Sequence, residues 1–362
     1  MAMKIVKGRI LPIGVDLGTS GVKLAQLREA NGTHELVATA KVDLPPECRA
    51  DFRAQLAFYA SAVRKTVASG GFRSRECVLS IPAEATFVHH VKVPRSAPEQ
   101  LRKAVLAEIE GKLPFPAKDA EIRHIIAGDV VGEGEPKQEV IVVAASRKTV
   151  VSQLAMARRA RLQVDGVNVE CCAIVDCFAR LFRRMDDERR AILFVDIGQA
   201  TTQVVLSHGS RLVFARNLAT AGNQFDQAIA DRMGIGREEA SELRREVAAL
   251  DEGNPVREEL YRILTDTLGA LADEITQCIR YYEAVFRRQD IERAIFLGGQ
   301  ANDRRICQVL AQQLNLPAQI GDPLVRVGST QAGGLDAGLD RREPQPGWAV
   351  AVGLSLGGTN AA

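Results

Sequence analysis

The sequence predicts a duplicated α/β fold, and three observations predict it. A short pattern occurs twice, at residues 13–24 and 194–205: an apolar strand ending in Asp-x-Gly, a small polar turn, and a β-rich return strand. The two copies stand about half of the 362-residue chain apart, as two halves of common descent would. Further on, the buried-type strand Ala294-Ile295-Phe296-Leu297 runs into Gly298-Gly299-Gln300 and then a helix, a third strand–glycine turn of related design.

The bulk numbers set the bounds. A chain of 362 residues suggests about two domains of the usual ~100–200 residues. A hydrophobic content of 46% with 25% charge belongs to a globular protein and excludes a disordered one. A net charge of +2 gives no electrostatic footprint for nucleic acid. Arg158-Arg159-Ala160-Arg161 and Arg183-Arg184 read as solvated helix faces. No stretch approaches the ~18–20 apolar residues of a membrane span, and Met1-Ala2-Met3-Lys4 leads straight to a strand without a signal core. The expectation is a cytoplasmic chain with no direct membrane insertion. The seven cysteines lack metal-type spacing, so Cys171, Cys172 and Cys177 read as buried thiols. His89 and His90 share an alternating strand and face opposite ways, which rules out joint chelation.

In chain order, strands at 10–17 and 22–28 flank the first polar turn and form a hairpin pattern. A helix at about 51–69 and a strand at 76–81 follow. A block of different character comes next: a strand at 86–93, a helix to about Lys112 opened by Ser96-Ala97-Pro98-Glu99 with capping-box spacing, strands at 121–131 and 138–145 joined by a Gly/Glu/Pro-rich turn at 132–136, and a helix at 147–161. This β-α-β-β-α block looks like an insertion. The pattern of the first 81 residues resumes with a short strand from Gln163 and a helix from Glu170. A second strand pair runs from Ala191 to about Asn217. The longest helix runs from Pro255 to about Arg287, with Asn254 as cap and Pro255 as first residue. Leu260, Ile263, Leu264, Leu271, Ile275, Ile279 and Tyr282 give it one buried face, with a break expected near Gly269.

The repeated turns suit phosphate chemistry. Glycine lets the backbone approach an anionic oxygen, and small polar turn residues expose amide donors. An aspartate at each strand end can hold Mg²⁺ through its waters, because that ion keeps most of its hydration shell. Two facing hairpins would grip a triphosphate from both sides, and the Gly298-Gly299 turn admits a flat base or ribose, or else serves tight packing.

Hairpin, hairpin and Gly-Gly turn stand in the order of the actin/Hsp70/sugar-kinase superfamily. The block after Val78-Leu79-Ser80-Ile81-Pro82 resembles the 1C subdomain of the FtsA/PilM branch. The stretches Leu101-Arg102-Lys103-Ala104-Val105, Leu113-Pro114-Phe115-Pro116, Gly222–Ala230, 238–244, Arg280-Tyr281-Tyr282-Glu283 and 348–357 are similar to the PilM family. The resemblance spans nearly all of residues 11–357 and implies a duplicated actin-like (ribonuclease H-like) ATPase fold with an inserted 1C-type subdomain. It implies a first domain at 10–190 carrying the insertion at about 83–162, a second at 191–345 with a subdomain at about 221–290, and a C-terminal helix in 346–362 returning to the first.

The same resemblance implies residue roles. Asp16 and Asp196 would order Mg²⁺. Gly18, Thr19, Ser20 and Gly21 would wrap the β- and γ-phosphates of ATP, with Lys23 reaching phosphate. Gly198, Gln199, Ala200, Thr201 and Thr202 would form the opposing loop. Gly298, Gly299 and Gln300 would lie against adenosine, with Glu242 or Arg244 near ribose or base. Glu170 matches a glutamate near the attacking water, and reads equally as a helix N-terminal acid complementing the dipole. Three departures stand out: Gln300 where a third glycine is common, Gln199-Ala200 before the threonines of the second loop, and Ser241 where an acid is frequent. The implied function is a nucleotide-controlled scaffold, at most a slow ATPase, of a type IV pilus or related type II secretion assembly. It would bind the cytoplasmic N-terminal peptide of a PilN-like bitopic membrane protein among the inner-membrane platform proteins, and sit peripheral to that membrane through its partner. An FtsA-like filament protein and, less readily, a small-molecule kinase stay as alternatives, and homo-oligomerisation stays open.

Overall fold

The computed structural model describes residues 8–49, 51–130, 136–182, 190–286, 290–329, 335–336 and 339–357. The initial Met1–Lys4 segment, nearly all of the 132–136 turn, Arg183-Arg184, the expected helix end at Arg287 and the last five residues of the tail lie outside them.

The first half carries β1 (Arg9–Ile10), β2 (Ile13–Leu17), β3 (Gly21–Ala30), β4 (Thr33–Asp43), α1 (Phe52–Ser69) and β5 (Glu76–Ile81). Then come β6 (Thr86–Pro94), α2 (Pro98–Ile109), β7 (Ala120–Val130), β8 (Lys137–Ser146) and α3 (Arg147–Arg159). The chain rejoins its first sheet through β9 (Gln163–Val169) and α4 (Glu170–Ala179). The second half has β10 (Ala191–Ile197), β11 (Thr202–His208), β12 (Arg211–Leu218), α5 (Gly222–Met233), α6 (Arg237–Ala248), α7 (Pro255–Ile263), α8 (Thr265–Val285), β13 (Ile291–Leu297), α9 (Arg304–Leu314) and β14 (Ala318–Ile320). Last are β15 (Val327–Ser329), β16 (Leu335–Asp336), β17 (Leu339–Asp340) and α10 (Ala349–Gly357).

The duplication is visible in sheet order. One sheet contains the run β4-β3-β2-β5-β9 and the other the run β12-β11-β10-β13-β14. In each, the first three strands meander antiparallel and the last two join in parallel. The second half therefore supplies three strands from Ala191, where the sequence pattern suggested two. The extra return, β12, turns tightly at Gly209, whose φ of 58° suits a glycine.

A third, antiparallel sheet, β6-β8-β7, interrupts the first between β5 and β9 and owns a small core of Val91, Val93, Leu101, Val105, Ile109, Val140 and Val142. It is fastened to the second half. The His90 ring nitrogens lie 2.9 Å from Glu139 Oε1 and 3.1 Å from the Ala215 carbonyl oxygen, and the ring stacks on Phe214. Tyr281 donates its hydroxyl to Glu139 at 2.6 Å, and Asn217 Nδ2 donates to the carbonyls of Ala83 and Thr86. Helix α2 starts one residue later than a Ser96 cap would give: Ala97 is its N-cap and makes no side-chain bond, because Pro98 at the first helical position holds the preceding residue extended.

Asn254 caps α7 through Val256 N–H with Pro255 first, as the sequence suggested. The helix break falls at Leu264 rather than Gly269. Leu264, fully buried, has ψ −6° and tightens the turn there, whereas Gly269 runs through α8 at a cost of only about 1 kcal/mol. Helix α10 is buried against β2 and α4. A Cβ on Gly14 would stand 1.9 Å from the Ala351 carbonyl oxygen and one on Gly353 1.8 Å from that of Ala173, so the backbones touch where side chains are absent. Ser355 secures the contact by donating to Pro12 O and accepting from Leu27 N–H. All seven cysteines are free thiols, five of them buried. Among the described residues no helix is long and apolar enough to cross a membrane.

Candidate functional site

The site begins with the pairing of strands. In the β2–β3 hairpin Asp16 lies opposite Lys23, and in the β10–β11 hairpin Asp196 lies opposite Gln203. Both turns close identically: the Gly18 N–H donates to the Gly21 carbonyl and the Gly198 N–H to that of Thr201, each at 3.0 Å. The turns face one another across a cleft. Gly18, Thr19 and Ser20 line one wall and Gly198, Gln199, Ala200 and Thr201 the other, with Asp16, Asp196, Lys23 and Glu170 at the floor. Gly298, Gly299 and Gln300 continue the second wall outward, where Arg244 also reaches the cleft.

Three expected residues stand apart. Gly21 closes its turn from the strand side, Thr202 is fully buried with its hydroxyl donated to Thr220 O, and Glu242 is exposed on α6 without lining the cleft.

Gly298 is required twice over. Its φ is +87°, and a Cβ there would lie 2.3 Å from both Asp196 Oδ1 and the Ile197 carbonyl oxygen. Its N–H donates to Pro346 O, which brings the segment before α10 to the cleft. Tyr59 supports the first turn by donating to the Gly18 carbonyl at 2.7 Å.

Side chains tie the second wall together. Arg244 donates through Nε to Asp226 (2.8 Å) and through a terminal nitrogen to Gln300 Oε1 (2.7 Å). Gln300 Nε2 donates to Gln199 Oε1 (2.9 Å), and Gln199 Nε2 donates to Asp226 (2.7 Å) and Asn223 (3.1 Å). Backbone bonds add to the ring, from Gly222 N–H to Gly198 O and from Asn223 N–H to Gln199 O.

The floor is short of positive charge. Burial raises the Asp16 carboxyl above its usual range, partly offset by Lys23, whose Nζ is 4.0 Å away. Asp196 is pushed up to about 7, chiefly by burial, with Lys23 opposing and Asp16 adding to the rise. Glu170 is held well above the carboxylate range by burial and then by the two aspartates, although the Ala83 N–H works against this. The rise favours the protonated form of Glu170, and a cation or bound ligand in the cleft would oppose it. Three carboxyl groups answered by one lysine form a donor set that a divalent cation would relieve. Among the described residues no group of three or more His, Cys, Asp or Glu is arranged to ligate a metal directly, so the fit is to a cation held through its waters.

Sequence reasoning passed over Gln203 and Asp226. Gln203 lines the floor, is 3% exposed, and leaves its buried Oε1 without a hydrogen-bond partner. Laying one repeat over the other would have found it, since it stands as far from Asp196 as Lys23 does from Asp16. Asp226 carried no local signal, because its role depends on α6 folding back against α5.

The chain matches the type IV pilus assembly protein PilM across residues 14–359. It belongs to that family. Among solved structures, the PilM-PilN type IV pilus biogenesis complex is 24% identical with a TM-score of 0.78, covering 97% of this chain and 99% of that one. The ethanolamine utilization protein EutJ from Carboxydothermus hydrogenoformans is 14% identical with a TM-score of 0.54, covering 96% and 89%. The fold of this PilM-family chain is a duplicated actin-like α/β fold. Two of its departures from the pattern expected of the family, Gln199 and Gln300, are bonded to each other.

Proposed function

We propose that the cleft binds ATP with Mg²⁺, and that the chain is a nucleotide-controlled scaffold of a type IV pilus, or related secretion, inner-membrane assembly. The observation that carries this reading is the pair of identically closed Asp-x-Gly turns facing each other over a polar floor. Gly18, Thr19, Ser20 and Lys23 would hold the β- and γ-phosphates from one side and Gly198–Thr201 from the other. Asp16 and Asp196 would hold the hydrated cation, and the Gly298-Gly299 turn with Arg244 would face the nucleoside. The cation would supply charge to the phosphate oxygens and to the crowded carboxyl groups. This chain's residues orient the phosphates, and the buried setting of Glu170 favours its protonated form. Hydrolysis, with Glu170 near the attacking water, is slow on this reading.

The domain division on this reading is 10–190 with the insertion at about 83–162, 191–345 with a subdomain at about 221–290, and a C-terminal helix in 346–362 returning to the first half, although β15 joins the first sheet beside β4. Family membership and the partner in the related complex support a PilN-like bitopic membrane protein whose cytoplasmic N-terminal peptide lies beside the insertion. Such a partner would place the chain at the inner membrane. Nucleotide would set the angle between halves and so the shape of that groove. Helix α10, buried in the first half, is spoken for by packing and is no amphipathic anchor of a filament protein.

Titration calorimetry with Mg²⁺-ATP tests the reading. Binding by the native chain that Asp16→Ala and Asp196→Ala each weaken by about 100-fold or more supports it. No binding by the native chain would reduce the protein to a nucleotide-free scaffold. Peptide binding measured with and without ATP then tests the coupling.

A further inference from the structure

The four-membered ring of the second wall has a direction. Arginine can only donate and an ionised aspartate can only accept, so Arg244 and Asp226 fix which way both intervening amides point. Arg244 donates to Gln300, Gln300 to Gln199, Gln199 to Asp226, and Arg244 to Asp226 again. The salt bridge that anchors it is 5% and 1% exposed at its two side chains. Its members come from the phosphate turn after β10, from α5, from α6, and from the Gly298-Gly299-Gln300 turn after β13. No Cβ would fit on Gly222, where it would lie 2.6 Å from Gln300 Nε2 and 2.8 Å from Gln199 Oε1. The first wall has nothing similar: among the described residues the Thr19 and Ser20 side chains make no hydrogen bond.

We propose that Gln199 and Gln300 are positioning residues which, locked between Asp226 and Arg244, set the phosphate turn and the nucleoside turn of the second half at a fixed separation before any ligand arrives. The inference rests on the nucleotide-binding reading above and adds a division of labour to it. The second half is the preformed platform, and the Gly18–Gly21 turn is the side that settles onto the ligand. Each glutamine amide already engages its carbonyl and its NH₂ within the ring, which turns both side chains toward the wall. The nucleoside is met by Arg244, whose guanidinium lies over the Phe225 ring at 5.8 Å.

The ring makes a particular prediction about coupling. Losing either glutamine removes the one side-chain bond between the two turns, Gln300 to Gln199, while the Arg244–Asp226 pair stays. Gln199→Ala, Gln300→Ala and the double variant are each expected to weaken Mg²⁺-ATP binding by about tenfold in calorimetry, the double no more than the singles. A double variant weaker by the product, about 100-fold, would overturn the proposal, since the two side chains would then act separately on the ligand. Gln300→Met keeps the bulk and removes both bonds. It is expected to behave like Gln300→Ala, and native-like affinity for it would show that Gln300 merely fills space. The nucleotide-free protein supplies an independent reading through amide hydrogen exchange. Gln300→Met should speed exchange at the Gly222 and Asn223 amides, which donate to Gly198 and Gln199, without changing it at Gly18. Unchanged exchange there overturns the brace even if ATP binds. Faster exchange in a chain that binds no ATP would keep the brace and remove the nucleotide.

Discussion

The two Asp-x-Gly hairpins share a register, a turn and a closing hydrogen bond, and differ in what surrounds them. The first has a cation opposite its aspartate, Lys23, and bare turn side chains. The second has a neutral amide opposite its aspartate, Gln203, and a turn held by side chains from two other elements. Charge is concentrated in one copy and rigidity in the other. A duplicated backbone can thus divide a site between attraction and alignment, with most of the division made by the residues at one register position and one turn position.

The largest effect expected from breaking this comparison is at Gly298, which packs directly against Asp196 and the Ile197 carbonyl. Gly298→Ala must move Asp196 or the strand end. It should abolish measurable Mg²⁺-ATP binding and lower stability by more than about 2 kcal/mol in denaturant melts. Next come the register partners. Lys23→Met should weaken ATP binding by about 100-fold, because it removes the cation that faces both aspartates. Gln203→Lys would give the second hairpin the charge of the first, and should reduce the Mg²⁺ concentration needed for half-maximal binding. An unchanged Mg²⁺ requirement would mean that Gln203 does not share the environment of Asp196.

A pH dependence follows from the raised carboxyl at Asp196. Its folded-state value of about 7 lies above its ordinary 3.8, so the folded chain binds the proton more tightly than the unfolded one. That contribution is full below about pH 4 and is lost as pH rises through about 7. Glu170 and Asp16 act with the same sign. Melting temperatures of the ligand-free protein should fall across this window, and Asp196→Asn should flatten the fall while destroying Mg²⁺-dependent binding. The smallest effect sharpens the comparison. Thr19→Val should leave the stability within about half a kcal/mol of native, since its hydroxyl is unbonded, whereas Gln199→Ala should lower it visibly.

Much of the fold was legible because strand runs and turn residues are local. Glu76–Ile81 reads as a buried strand from its apolar run, and both facing hairpin turns read from Asp-x-Gly. The inserted three-stranded sheet could be placed because a strand–helix alternation of different character interrupts the first half, but α3, expected to close that block, packs against α1 in the first half instead. What was not legible depends on distance in sequence. The ring joins residues 199, 226, 244 and 300, and no spacing rule connects positions on four separate elements. The helix break was sought at Gly269, where propensity is weakest, and fell at Leu264, where packing demanded it. Gln203 was overlooked because a glutamine on an apolar strand carries no signal until the repeats are superposed.

The fastening of the inserted sheet to the second half changes what that sheet is. Its chain ends belong to the first half, but its histidine, glutamate and neighbouring backbone are closed over by Phe214, Tyr281 and Asn217 of the other. Excising residues 83–162 would strip the cover from two aromatic rings and leave the Asn217 amide with no carbonyl to meet. The molecule cannot be pared to a minimal pair of repeats. A calorimetric scan of this chain should show one cooperative transition, where two halves joined without this sheet would permit two.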